Sequence, residues 1–125
     1  MIHLDYQDRR PLYQQLIEKI EDLIVNGMIQ PNEQLPSVRS LAMDLSINPN
    51  TIQRAYTQLE KEDIIYTVPG KGCFASPATE ILIKNKQKQL FKELENLIQT
   101  AINLNISQDI FMGQCVNIFN LKNGG

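Results

Sequence analysis

A run of hydrogen-bonding side chains is the part of this sequence best equipped for chemistry. The run carries amide, hydroxyl and guanidinium groups on Asn48, Asn50, Thr51, Gln53 and Arg54. Between residues 46 and 59, Arg54 is the single charged residue. These side-chain types bond base edges and phosphates in a DNA major groove. The pattern therefore favours a nucleic-acid contact; the alternative is a polar surface helix in an ordinary all-α domain.

Two short helices joined by a tight turn are predicted to present this run. Ser37 is a suitable N-cap for the first helix, whose apolar side recurs at helical spacing through Val38, Leu41, Ala42 and Leu45. Asn48 caps the second helix, and Pro49 takes the first helical position, where its missing N–H costs nothing. The inward side of the second helix is formed by Ile52, Ala55, Tyr56 and Leu59. The polar run is then left on the outward side.

The flanking segments predict a mainly α fold with a small β-hairpin. A helix opens at Pro11 and ends at Asn26-Gly27, and residues 28–30 form a short strand. After the central helices, residues 64–68 are β-branched and aromatic, residues 69–72 compose a turn, and residues 73–76 return as the partner strand. Three helices followed by a hairpin is the order of a winged helix-turn-helix, which we assign to residues 1–76. Lys71 lies at the hairpin tip, where it meets DNA or is merely a solvated turn residue.

Residues 77–125 are predicted to form two further helices that act as a dimerisation region. The first covers residues 80–103, and Ser107 caps the second. Apolar residues recur along both helices, and those expected at the dimer contact are Leu90, Leu94, Leu97, Ile98, Ala101, Phe111 and Ile118. Two helices cannot cover this surface by themselves, so a symmetric homodimer is expected. The alternative is that the pair folds back on the first helix within one chain.

Composition narrows the classes of protein that fit. A content of 42% hydrophobic and 21% charged residues suits a globular protein. With no long apolar run and no signal peptide, we expect a cytoplasmic protein without a membrane partner.

Cys73 and Cys115 are expected to be buried free thiols. A single histidine, His3, and no cysteine pair at ligand spacing predict no metal site. The acids form no credible catalytic set, so neither an enzyme nor a cofactor is expected.

The charge balance opposes a DNA-binding interpretation. The net charge is -2, whereas nucleic-acid-binding domains usually carry a basic excess. Any affinity must therefore come from the placement of cations and from doubling the site in a dimer. A winged protein-interaction module without DNA binding is the alternative that this balance favours.

Several motifs in order resemble the DNA-binding domain of the GntR family of bacterial transcriptional regulators. The resemblance runs from Pro11-Leu12-Tyr13 through LPSVRSLA, NPNTIQRAY and the PGKG turn, over about residues 9–76. It implies DNA contacts from the LPSxR motif, from the polar run and from the wing. In this sequence those positions are Ser37, Arg39, Asn48, Asn50, Thr51, Gln53, Arg54, Gly70, Lys71 and Gly72.

The sequence also departs from the family pattern. A glycine commonly precedes the LPS motif, where this chain has Asn32-Glu33-Gln34, and Asp63 stands where a glycine often precedes the first wing strand. Pro49 replaces a more frequent Ser or Arg, so base preference does not carry over.

The short two-helix tail is similar to the YtrA-like subgroup of the family. That resemblance implies a homodimeric repressor on an inverted repeat in double-stranded DNA, controlling an ABC transporter operon and its own gene. It implies no large metabolite pocket, and the residues identify no small-molecule effector.

Overall fold

The computed structural model describes residues 2–124 and places most of them in helices. Over this range five helices and one antiparallel hairpin follow in the order α1 Leu12–Val25, α2 Val38–Leu45, α3 Pro49–Lys61, β1 Ile65–Val68, β2 Gly72–Ala75, α4 Thr79–Asn103 and α5 Gln108–Lys122. The predicted mainly α fold with a hairpin wing is confirmed.

The chain divides into two compact units, with the boundary after Lys84, inside α4. The first unit extends past the hairpin because Leu82, in the first turn of α4, belongs to its buried core. The functional division after residue 76 stays a prediction.

The core of the first unit is built where α1 and α3 pack together. The predicted inward stripe of α3 is confirmed, because Ile52, Ala55, Tyr56 and Leu59 are all at most 2% exposed. From α1, Leu16 and Ile20 reach the same core with 1% exposure or less. Burying a large aliphatic side chain contributes about 1.5–3 kcal/mol, so this stripe fixes which side of α3 faces solvent.

A buried glutamine ties the N-terminal segment to the first turn of α1. The side chain of Gln15 is 3% exposed. It accepts a hydrogen bond from the Asp5 N–H at 2.8 Å and donates to the carbonyl oxygens of Asp5 at 2.9 Å and Arg10 at 3.2 Å. With its polar atoms paired, this amide stabilises the start of α1.

A third segment pairs with the hairpin, and the sequence did not predict which one. Residues 28–30, predicted as a strand, form a bend without strand pairing, and Ile29 is buried in the core. The segment that pairs with β2 lies further on, where Leu35 N–H donates to Cys73 O at 2.8 Å and Ala75 N–H donates to Glu33 O at 2.9 Å. Gly27 and Asn32 both have left-handed backbone, and they change the direction of the chain before and after residues 28–30.

Two departures from the family glycine pattern occupy left-handed backbone. Asn32 has φ 64° and Asp63 has φ 59°. Asn and Asp tolerate this region better than other non-glycine residues. Both positions therefore keep the backbone conformation that a glycine there would adopt.

The second unit comprises the rest of α4 and all of α5, and it has a large exposed apolar surface. The chain turns after α4 at Asn105, with φ 60°, and Ser107 caps α5 by accepting from Ile110 N–H at 3.3 Å. Of the predicted contact residues, Ala101 is 8% exposed, and Leu94 and Phe111 are half-buried. The other four are 41–60% exposed: Leu90, Leu97, Ile98 and Ile118.

The two cysteines are less buried than expected. Cys73 and Cys115 are both free thiols, and each is half-buried. Cys73 packs partly against the core of the first unit, and its Sγ lies 3.5 Å from the Thr67 hydroxyl oxygen. The prediction of buried thiols is therefore wrong for both cysteines, although both are free as expected.

Substituting glycine for Asp63 tests whether the left-handed backbone at this position is strained. Because Gly adopts positive φ without a Cβ penalty, we expect Asp63→Gly to raise the free energy of unfolding by about 0.5 kcal/mol. Asp63→Ala should lower it by about 1 kcal/mol. Urea denaturation at one protein concentration measures both.

The matched control is Asp44→Gly, the same substitution inside helix α2, which should destabilise the chain. If Asp63→Gly lowered stability as much as Asp44→Gly does, the left-handed backbone at Asp63 would not be a source of strain.

Candidate nucleic-acid interface

The outward side of α3 carries the polar run predicted from the sequence. Asn50, Gln53 and Arg54 are exposed, and Thr51 is half-buried. The opposite side is anchored by Tyr56, whose hydroxyl donates to the carbonyl oxygen of Pro36 at 2.6 Å. Burial raises the pKa of the Tyr56 hydroxyl above its ordinary value, so it stays a donor. This bond ties α3 to the segment that leads into α2.

The two helix caps occupy residues that the sequence also assigned to DNA contact. The Ser37 hydroxyl oxygen accepts from Ser40 N–H at 3.0 Å, and the Asn48 side-chain oxygen accepts from Asn50 N–H at 2.8 Å. Each cap stabilises its helix by about 1 kcal/mol. The caps use oxygen atoms, so the Ser37 hydroxyl proton and the Asn48 amide N–H groups remain as donors.

Arg54 lies against an aromatic ring from another helix. Its guanidinium carbon is 3.8 Å from the centroid of the Tyr13 ring, which α1 provides. Both residues line a concavity of about 410 Å³ together with Asn50, Gln53, Thr57 and Gln58. The structure therefore gathers three of the predicted residues, Asn50, Gln53 and Arg54, around one recess.

The remaining predicted residues lie outside that recess. Arg39 is exposed in the first turn of α2, and Lys71 is exposed at the hairpin tip between Gly70 and Gly72. Both glycines have positive φ, 78° and 120°, which the turn requires. Within residues 2–124 the ion pairs below 4 Å join Arg10 to Asp8 and Glu18; none involves Arg39, Arg54 or Lys71.

A glutamine that the sequence did not single out braces the hairpin tip. The Gln34 side-chain amide donates to the Lys71 carbonyl oxygen at 2.8 Å, across 37 residues of sequence. A Cβ added at Gly72 would lie 2.9 Å from the same amide nitrogen. The close fit connects the segment before α2 with the wing. No local sequence signal could have revealed a contact over this separation.

Other classes of site find no support in the described part of the chain. Among residues 2–124, no three His, Cys, Asp or Glu side chains are grouped to hold a metal ion. The same residues include no helix long and apolar enough to cross a membrane.

Fold and surface together define a class of protein. Three helices, of which the third exposes a polar face, followed by a two-stranded hairpin form a winged helix-turn-helix protein. The chain belongs to the GntR family of bacterial regulatory proteins, whose family model matches residues 12–75.

Known relatives place the chain among transcriptional regulators. It is 38% identical over 102 residues to the HTH-type transcriptional repressor YtrA of Bacillus subtilis strain 168, covering 81% of this chain and 78% of that protein. A crystal structure of a transcriptional regulator from Oenococcus oeni superposes with TM-score 0.82 at 31% identity, over 95% of this chain and 99% of the other.

Some of the similar structures contain operator DNA. AraR(DBD) in complex with operator ORR3 superposes with TM-score 0.53 at 28% identity, over 59% of this chain and 89% of that chain. A protein of the same fold therefore binds operator DNA.

Removing the Gln34 brace should loosen the wing. Gln34→Met keeps the length of the side chain but removes its donor, at a local cost of about 1 kcal/mol. We expect faster amide hydrogen exchange at residues 70–72, measured by NMR.

The matched control is Gln30→Met, because the Gln30 amide also donates to a backbone carbonyl, that of Gly27, at 2.6 Å. This control should leave exchange in the wing unchanged. Equal effects of the two variants would show that Gln34 does not specifically hold the wing.

Proposed function

We propose that the chain acts as a homodimeric, sequence-specific repressor on an inverted-repeat operator. The observation that carries the proposal is the outward side of α3, which is polar, exposed and free of acids up to Glu60. A recognition helix in the major groove needs such a side. In a two-fold dimer, the two copies of α3 would enter successive major grooves about 34 Å apart.

Roles for the site residues follow from their placement. Asn50, Thr51, Gln53 and Arg54 lie on the first turns of α3, the part of a recognition helix that contacts bases. Arg guanidinium groups bond guanine edges bidentately, and Asn or Gln amides bond adenine. Arg54 is thus the residue proposed to carry the largest share of sequence discrimination.

The flanking residues are proposed to hold the DNA backbone. Arg39 lies in the first turn of α2, and Ser37 and Asn48 offer donors at the two helix N-termini, where anions are favoured. The wing would add Lys71, together with the backbone of Gly70 and Gly72 at its tip. Phosphate contacts of this kind fix the orientation of the protein without specifying bases.

Dimerisation is proposed to occur through the two-helix region of residues 77–125, which contains α4 and α5. Its exposed apolar side chains include Leu97 at 60% and Ile98 at 41% on α4, with Ile118 at 53% on α5. A second copy of the same two helices would bury this exposed apolar surface in a two-fold symmetric dimer.

The genes under control are proposed from the relatives. The similar Bacillus protein is named a transcriptional repressor, and the short two-helix tail is similar to the YtrA-like subgroup. We therefore propose an ABC transporter operon and the regulator's own gene as targets.

One observation favours a second candidate, a winged module that binds protein. The segment from Glu33 to Gly72 carries four bases, Arg39, Arg54, Lys61 and Lys71, against five acids, Glu33, Asp44, Glu60, Glu62 and Asp63. A protein-binding module would show no salt-dependent affinity for any duplex, whereas a DNA binder loses affinity as salt rises.

Two alanine substitutions separate base contacts from phosphate contacts. Arg54→Ala should cost about 1–3 kcal/mol on the preferred duplex and reduce discrimination between sequences, while Lys71→Ala should weaken all duplexes alike and lower the salt slope by about 1. Fluorescence anisotropy with specific and scrambled duplexes at several salt concentrations measures both.

Lys19→Ala is the control, since it removes one cation from the exposed side of α1, outside the proposed face. If Arg54→Ala weakened every duplex equally, Arg54 would be a phosphate anchor instead.

A carboxylate in the apolar stripe should separate the subunits. We expect Leu97→Glu to give monomers in sedimentation equilibrium, because a dimer would bury an unpaired charge.

Lys88→Glu is the control, placing the same carboxylate about 180° around α4, and it should stay dimeric. A Leu97→Glu protein that sediments as the control does would place the subunit contact elsewhere.

A further inference from the structure

We propose that Tyr13 is a positioning residue for Arg54, holding its guanidinium in the orientation that discriminates between DNA sequences. This inference rests on the proposed function, since it assigns a second element, α1, to the recognition carried out by α3.

The geometry points to a face contact and not to a hydrogen bond. The guanidinium carbon of Arg54 lies 3.8 Å from the Tyr13 ring centroid, well within the distance at which a cation is attracted by a ring face. The Tyr13 hydroxyl is engaged differently, accepting from the Gln14 side-chain amide at 3.3 Å. The aromatic face, therefore, is what holds Arg54.

The ring is itself held in place. Tyr13 is half-buried and packs against the core of the first unit. It lies in the first turn of α1, where the Gln15 amide pairs with the backbone of Asp5 and Arg10. A fixed ring next to a long flexible side chain restricts that side chain before any ligand arrives.

Stacking leaves the recognition atoms of Arg54 available. The guanidinium donors lie in its plane, so a ring on one face blocks none of them at the edge. No carboxylate of residues 2–124 pairs with Arg54. Ordering a side chain with many rotamers on binding costs conformational entropy. Because the stack already orders Arg54 in the free protein, less of this entropy is lost when DNA binds. Asn50 and Gln53 line the same recess, so a fixed guanidinium has a fixed relation to both amides.

A double-mutant cycle on the duplex preferred by the full-length protein tests the inference. Tyr13→Leu keeps an apolar side chain at the core but removes the ring face, and should weaken that duplex about 3- to 10-fold. Tyr13→Phe keeps the face and loses only the hydroxyl, so its affinity should stay within about 2-fold of the unaltered protein. In an Arg54→Ala background, Tyr13→Leu should change the affinity less than about 2-fold.

Two further readouts separate positioning from simple destabilisation. Tyr13→Leu should weaken the preferred duplex more than a scrambled one, whereas partial unfolding would weaken both equally. Thermal melting should show that each variant is folded at the temperature of the binding assay. In the free protein, the NMR shift of the Arg54 Nε–H should change in Tyr13→Leu and stay nearly constant in Tyr13→Phe.

The outcomes are distinct. Additive penalties of Tyr13→Leu and Arg54→Ala, or a Tyr13→Phe protein as weak as Tyr13→Leu, would overturn the inference while leaving the proposed function intact. Absence of binding to any duplex by the unaltered, folded protein would overturn the proposed function and the inference together.

Discussion

The burial of one side of α3 is the constraint on which the remainder of the first unit depends. Ile52, Ala55 and Leu59 have no exposed surface, so α3 cannot rotate about its axis without opening the core. Since residues three and four apart share a helix face, the same packing directs Asn50, Gln53 and Arg54 outward. The chemistry of the surface is thus set by the apolar residues behind it.

Three contacts between segments that are distant in sequence add to the packing of the core. Tyr56 joins α3 to the segment before α2, Gln34 joins that segment to the wing, and Tyr13 joins α1 to Arg54. Each is a single polar or aromatic contact of modest energy. Their importance is geometric, because they set the positions of the exposed cations relative to the first unit's core.

Local patterns in the sequence were sufficient for most of the fold. Ser37, Asn48 and Pro49 mark helix starts through bonds that their own neighbours make, and the inward stripe of α3 follows from spacing alone. The predicted strand at residues 28–30 was wrong because turns before and after it, at Gly27 and Asn32, redirect the chain. The Gln34 brace and the Tyr13 stack could not be predicted, since they depend on residues brought together only by folding. Which residues touch DNA, and which apolar side chains meet in a dimer, stay predictions.

Selection of bound sequences from a random duplex pool, at two salt concentrations, tests the central claim most directly: that a pair of α3 helices recognises DNA by sequence. The account predicts enrichment of an inverted repeat whose half-site centres lie about one helical turn apart, with weaker retention at the higher salt. No enrichment at either salt, with the protein shown to be folded and dimeric, would contradict it.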